Sequence, residues 1–269
     1  MIAQHGLYAY GLVGLYPEQL DIVGIDKKHK VYPVVGGELC VMVSTIDIDT
    51  FQNQVKDLVS ALTKTTGTAP SGAEEILQAH ENVVDTLMKS TTVVPFKFGT
   101  ILKDEAAAAK MLQDDEGKFK QLLAKFSGRA EWGLKVYADR QEFIKHMLHS
   151  KPICTDLEEK REKLARGAAY LLGKKREEEL KDDVVAQLAQ VAEVIFQELG
   201  KDAYTAKLHK TLPQKLTGNK KEMILNTVYL VERENAACFC QQGERLIEQY
   251  TAMGLELEVS GPWPPYSFI

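Results

Sequence analysis

A chain of 269 residues, 45% hydrophobic and 26% charged, has the composition of a folded globular protein, which excludes wholesale disorder, and its length favours two ordinary domains over one. A formal net charge of −5 argues against nucleic-acid binding, which needs a basic face, and no apolar run reaches the roughly 18 to 20 residues that span a bilayer. Four scattered cysteines (Cys40, Cys154, Cys238, Cys240) make no disulfide framework, and the N-terminus lacks the basic-then-apolar pattern of a signal peptide, so a reducing cytoplasm is the expected setting.

Leu7 to Val13, aromatic and β-branched, predicts a strand. Pro17 to Ile25 suits a short helical turn. Val31 to Val35 and Glu38 to Ser44 read as a hairpin closed by Gly36-Gly37. Asp47 or Asp49 can cap a helix over about Thr50 to Lys64, with Phe51, Val55, Leu58, Val59 and Leu62 on its apolar face. Thr65 to Gly72 is the clearest loop. A helix bearing His80 follows, with Val83, Val84, Leu87 and Met88 on one face. It leads into Thr92 to Thr100, an apolar, β-branched and aromatic run that predicts a strand central to the first half. Pro95 lacks an N–H for a ladder, so this strand belongs at an edge or a bulge, and Gly99 suits a turn. Asp104 opens a helix to Phe126, with Asp114-Asp115-Glu116-Gly117 placed to break it.

Ser127-Gly128-Arg129 marks a boundary, giving an N-terminal α+β domain over residues 1–128 and a C-terminal one over 129–260. Glu131 to Ala138 alternates as a strand, with Trp132, Leu134, Val136 and Ala138 on one face. A helix spans about Arg140 to His149. From Asp156 to Leu199 apolar residues recur at helical spacing and predict one long amphipathic helix, weakened at Gly167 and Gly173. A shorter helix is predicted over about Lys201 to Thr211. Met223 to Val231 reads as a central strand. Asn235 is the expected cap of a helix to about Met253, with Cys238, Phe239, Leu246, Ile247 and Tyr250 inward and Gly254 stopping it. Leu255 to Ser260 is the last strand. The fold class is therefore α+β in two domains. The second is an antiparallel sheet with helices on one face, a modified ferredoxin-like order, and a Pro/aromatic tail, 261–269, is expected to dock on the body.

The candidate chemistry is sparse. His80-Glu81 could form an acid/base pair, but position 84 is Val84 and no HExxH motif exists, so a packing or hydrogen-bonding role for His80 is the plainer expectation. Cys238 and Cys240 lie two apart on a helix and point to different faces. Gly6, Gly11 and Gly14 fit no phosphate-loop spacing. Lys174 to Glu179 reads as a solvated helix face, or else as part of a partner-binding helix. In the tail, Pro262, Pro264 and Pro265 stiffen the chain, while Trp263, Tyr266 and Phe268 carry large areas to bury, either on the protein's own core or on a partner. No catalytic residue, metal site or cofactor is expected.

Several phrases, in order along essentially the whole chain, resemble the gas vesicle protein F/L family. They are Tyr8-Ala9-Tyr10-Gly11, His80-Glu81 ahead of Val94-Pro95-Phe96-Lys97-Phe98-Gly99-Thr100, Glu131-Trp132-Gly133-Leu134-Lys135-Val136, Gly167-Ala168-Ala169-Tyr170-Leu171, Tyr229-Leu230-Val231, and Gly261-Pro262-Trp263-Pro264-Pro265-Tyr266-Ser267-Phe268. The family often has Arg where this chain has Lys97, which keeps the charge without the bidentate fork. The resemblance implies a non-enzymatic minor component of gas vesicles or of their assembly. Its implied partner is the hydrophobic main shell protein, with other minor gas vesicle proteins as further partners and no nucleic acid or membrane. Trp263, Tyr266, Phe268, Phe96 and Phe98 are the candidate protein-interaction residues. The rival expectations are a small-molecule enzyme or sensor on a ferredoxin-like domain, and an adaptor using the helix from Asp156 to Leu199.

Overall fold

The computed structural model describes residues 4–14, 21–63, 73–150 and 166–269. The chain divides into two compact units, Met1–Ala130 together with Trp263–Ile269, and Glu131–Pro262.

The first unit holds strands β1 (His5–Gly14), β2 (Tyr32–Gly36) and β3 (Leu39–Asp47), helices α1 (Ile48–Thr63) and α2 (Ala73–Ser90), short strands β4 (Val93–Pro95) and β5 (Ile101–Leu102), and helices α3 (Glu105–Asp114) and α4 (Glu116–Phe126). Its sheet runs β2-β3-β1-β4, with β5 also pairing β1. The β1–β3, β1–β4, β1–β5 and β2–β3 pairs are all antiparallel. Helices α1 and α2 contact β3 and β1, while α3 packs on β2 and β3 and α4 on β4 and β1. Both middle strands are buried along most of their length, so their sequences read as continuous apolar runs rather than as an in-out alternation. Asp47 caps α1 by accepting from Thr50 N at 2.7 Å, and Asp104 caps α3 by accepting from Ala107 N at 2.8 Å. The break expected at Asp114 to Gly117 separates α3 from α4.

The second unit is built on β6 (Arg129–Ala138), α5 (Arg140–Ser150), α6 (Arg166–Gly200), β7 (Thr205–Leu208), one-turn α7 (Gln214–Thr217), β8 (Glu222–Glu232), α8 (Ala236–Thr251) and β9 (Leu255–Trp263). Sheet order is β7-β8-β6-β9. Leu134, Val136 and Ala138 of β6 and Leu225, Tyr229 and Val231 of β8 share a core with Val184, Leu188, Ile195 and Leu199 of α6 and Phe239 of α8. In each unit the first strand lies between the third and the fourth, with the second outside the third. The α+β, ferredoxin-like expectation holds for the second unit, and the first unit repeats the strand order without a described helix between its first two strands.

Several local expectations are corrected. Thr92 to Thr100 is not one strand: β4 stops at Pro95, and the chain turns through Gly99 at φ +84°. Asp21 to Ile25 is not helical, since Val23 bridges Lys30; Pro17 to Leu20 lie outside the described residues. The helix expected over Lys201 to Thr211 is strand β7, because Tyr204 N donates to Leu230 O and His209 N to Asn226 O, both at 2.8 Å, and sheet pairing overrides local propensity. Val59 and Cys238 are exposed rather than inward. Asn235 precedes α8 without a side-chain capping bond. The last strand, expected to end at Ser260, runs on to Trp263 as β9, so the first three residues of the expected docking tail are strand. The Thr65 to Gly72 loop and residues 156–165 of the long helix lie outside the described residues; the described part, α6, is 35 residues long, about 52 Å at about 1.5 Å per residue.

Candidate functional site

The densest polar arrangement in the first unit grows out of a bulge in β1. Ala9 pairs with Val43 and Gly11 with Met42, so Tyr10 is the extra residue. A bulge re-aims a side chain, and here Tyr8 and Tyr10 come to lie side by side, ring centroids 5.0 Å apart. Gly11 is required beside it: a Cβ there would sit 2.8 Å from Val93 Cγ2 and 3.0 Å from Val94 O. Phe96 N donates to Tyr10 O at 2.9 Å, which ties the end of β4 to the bulge.

Both tyrosines are fully buried, so their hydroxyls need partners. Tyr10 Oη accepts from Ile25 N at 2.7 Å and pairs with Ser44 Oγ at 2.8 Å. Tyr8 Oη accepts from Gly99 N at 3.0 Å and meets His80 Nδ1 at 2.9 Å. On the other side of the imidazole, Nε2 meets Tyr266 Oη at 3.0 Å. His80 is buried on α2, edge-on to Tyr8 and Phe98 and stacked on Tyr10. A neutral imidazole has one donor and one acceptor nitrogen, and each has a hydroxyl to match.

Electrostatics agree with that geometry. Burial pulls the His80 pKa down to about 4, so the ring is neutral at pH 7. Burial pushes the Tyr10 phenol up to about 12 and raises Tyr8 and Tyr266 as well, so all three stay protonated. Glu81 next door is half-buried, and its carboxyl is raised by burial and by Asp85. Neither an activated nucleophile nor a poised base results: the cluster pins three distant chain segments together at residues 8, 80 and 266. Among the described residues no group of three or more His, Cys, Asp or Glu could hold a metal ion.

The candidate interaction residues divide around this pin. Tyr266 belongs to it and Phe98 packs against it. Phe268 is buried, its carbonyl accepts from Lys125 Nζ at 2.9 Å, and the ammonium lies 5.7 Å from its ring centroid. Phe96 is half-buried, and Trp263, at 45% exposure, is the most open of the five. Gly6, Gly11 and Gly14 all lie within β1, which is a strand and not a phosphate loop. Cys40 is buried, Cys238 exposed and Cys240 partly buried, none of them bonded, while Cys154 and the side chains of 174–179 lie outside the described residues. His80 was legible from sequence; its partners Tyr8 and Tyr266 were not, although two tyrosines in an apolar strand signal hydroxyls in search of partners.

The cluster is a neutral, hydrogen-bonded core element on an α+β frame of ferredoxin-ordered sheets. No helix among the described residues is long and apolar enough to cross a membrane. The chain belongs to the gas vesicle synthesis protein GvpL/GvpF family, whose model matches residues 6–269. It is 25% identical over 271 residues to gas vesicle protein F of Dolichospermum flosaquae, covering 97% of this chain and 96% of that one. It is 24% identical over 266 residues to gas vesicle protein F1 of Halobacterium salinarum, covering 98% and 92%. The crystal structure of GvpF from Anabaena sp. PCC7120 shares the fold at a TM-score of 0.68 and 22% identity, over 98% of this chain and 97% of that one. The role is thus gas vesicle-associated, and the family is not an enzyme family.

Proposed function

We propose that the protein serves gas vesicle assembly or nucleation by binding the hydrophobic main shell protein and limiting its aggregation before it joins the wall. Membership of the GvpL/GvpF family over residues 6–269 carries this reading. The physical logic is that an apolar subunit with open strand edges aggregates unless those edges are covered. Other minor gas vesicle proteins are further partners on this view, and the gas vesicle and the cytoplasm around it are the setting. Trp263 is the proposed aromatic contact, since Tyr266, Phe268 and Phe98 already bury their rings within the first unit.

The test is retention of the shell protein by immobilised full-length protein, with light scattering of the shell protein in its presence and absence. Retention that persists at about 1 M salt, where the screening length is about 3 Å, supports apolar contact. No retention, together with normal vesicles in a strain lacking the gene, removes the proposal.

A further inference from the structure

Among the described residues strand β7 ends the second unit's sheet and pairs with β8 on one side only. In that pairing Thr205 lies opposite Leu230 and Lys207 opposite Val228, while His209 N donates to Asn226 O at 2.8 Å. An antiparallel ladder alternates along its length. Residues 205, 207 and 209 therefore turn their N–H and C=O groups toward β8, and Ala206 and Leu208 turn theirs to the open side. Leu208 shares a face with Ala206, which packs against the core, yet it is 54% exposed, and Tyr204, just before the strand, is 56% exposed. Leu216, a few residues on, is 72% exposed. Natural edges are blunted by charge, brevity or cover, and lysine is the usual blunting residue. Here lysines stand beside large exposed apolar side chains, which a purely protective edge does not require.

The local charge indicates what the edge accepts. Residues 201–221 contain six lysines and one acidic residue, Asp202, in a chain of net charge −5. Lys201 and Lys221 are paired with Glu198 and Glu256, whereas among the described residues no carboxylate engages Lys210, Lys215 or Lys220. A second copy of β7 paired about Lys207 would set lysine against lysine, which is unfavourable across a strand pair.

We propose that the open edge of β7 takes an extended segment of a partner protein as a fifth strand, one in which apolar residues alternate with Asp or Glu. The outward amides and carbonyls of Ala206 and Leu208 supply the ladder, Tyr204 and Leu208 the apolar contact, and the lysines the charge match. This surface deepens the shell-binding reading and rests on it for the partner's identity, but a synthetic peptide replaces the shell protein in the test, so each can fail alone.

The probe is a fluorescent octapeptide of alternating Val and Glu, titrated against the full chain and followed by anisotropy, with amide exchange at Ala206 and Leu208 read by NMR. Saturable binding is expected, with slowed exchange at both amides. A Val/Lys octapeptide should bind at least about tenfold more weakly. Ala206→Pro removes one outward N–H and leaves the β8 ladder in place, so it should also weaken binding about tenfold. Should that variant misfold, the exposed double variant Lys210→Glu, Lys215→Glu serves instead, with the same loss expected. Equal affinity for the two peptides, unchanged exchange at both amides, full binding by a folded variant, or dimerisation of the chain through β7 would each overturn the proposal.

Discussion

Lowering the pH from 7 to 4 should remove about 3 kcal/mol of stability through His80 alone. In the folded chain its pKa is about 4, against an ordinary value of 6.5, because the ring is buried. Between these values the unfolded chain binds the proton and the folded chain refuses it. Stability is therefore fully present above pH 6.5, declines as the pH falls, and stops declining near pH 4. At about 1.4 kcal/mol per pH unit, the interval gives about 3 kcal/mol. Tyr8, Tyr10 and Tyr266 stay protonated across this range, since burial raises all three. Glu81 and Asp85 are both raised by burial, which acts on the pH dependence with the opposite sign, so a control is needed. Urea unfolding of the parent and of His80→Gln, from pH 8 to pH 4, supplies it. The parent should lead by most at pH 7, and the gap should shrink by about 3 kcal/mol on reaching pH 4. Parallel curves across that interval would refute the assignment of His80 as a buried neutral ring held by two hydroxyls.

Tyr266→Phe leaves His80 Nε2 without its partner at 3.0 Å and should destabilise the protein by about 1–3 kcal/mol, read as a lower urea midpoint with an unchanged slope. Gly24→Ala would place a Cβ 2.3 Å from Ser44 Oγ and 2.7 Å from Tyr10 Oη, forcing that pair apart; a loss of about 1–3 kcal/mol is expected in the same assay. Lys135→Ala, by contrast, removes an ion pair to Glu258 at 2.6 Å that is partly open to water, and should shift stability by less than about 1 kcal/mol, fading as salt rises.

The alternation of β6, the strand character of β8 and the stop at Gly254 were all readable, because each is a local pattern with a local cause. What sequence hid was decided by distant partners. Lys201 to Thr211 looks helical until β8 offers it a ladder, and Thr92 to Thr100 looks like one strand until Gly99 donates its amide to Tyr8 Oη and turns the chain. The cluster followed the same rule. His80 could be picked out as a residue wanting hydrogen bonds, but 72 residues separate it from Tyr8 and 186 from Tyr266, and no periodicity spans such gaps. Trp263 was grouped with Tyr266 and Phe268 by composition alone; burial separates them.

The first unit is discontinuous in sequence: Glu131–Pro262 is threaded between its main body and its closing segment. During synthesis, β1 and α2 therefore leave the ribosome more than a hundred residues before Tyr266 exists, and until then His80 lacks one of its two hydroxyl partners. A product truncated before residue 266 would lack that partner permanently. The main body of the first unit is thus made before the second unit and closed only after it, so its closure reports that Glu131–Pro262 has been translated.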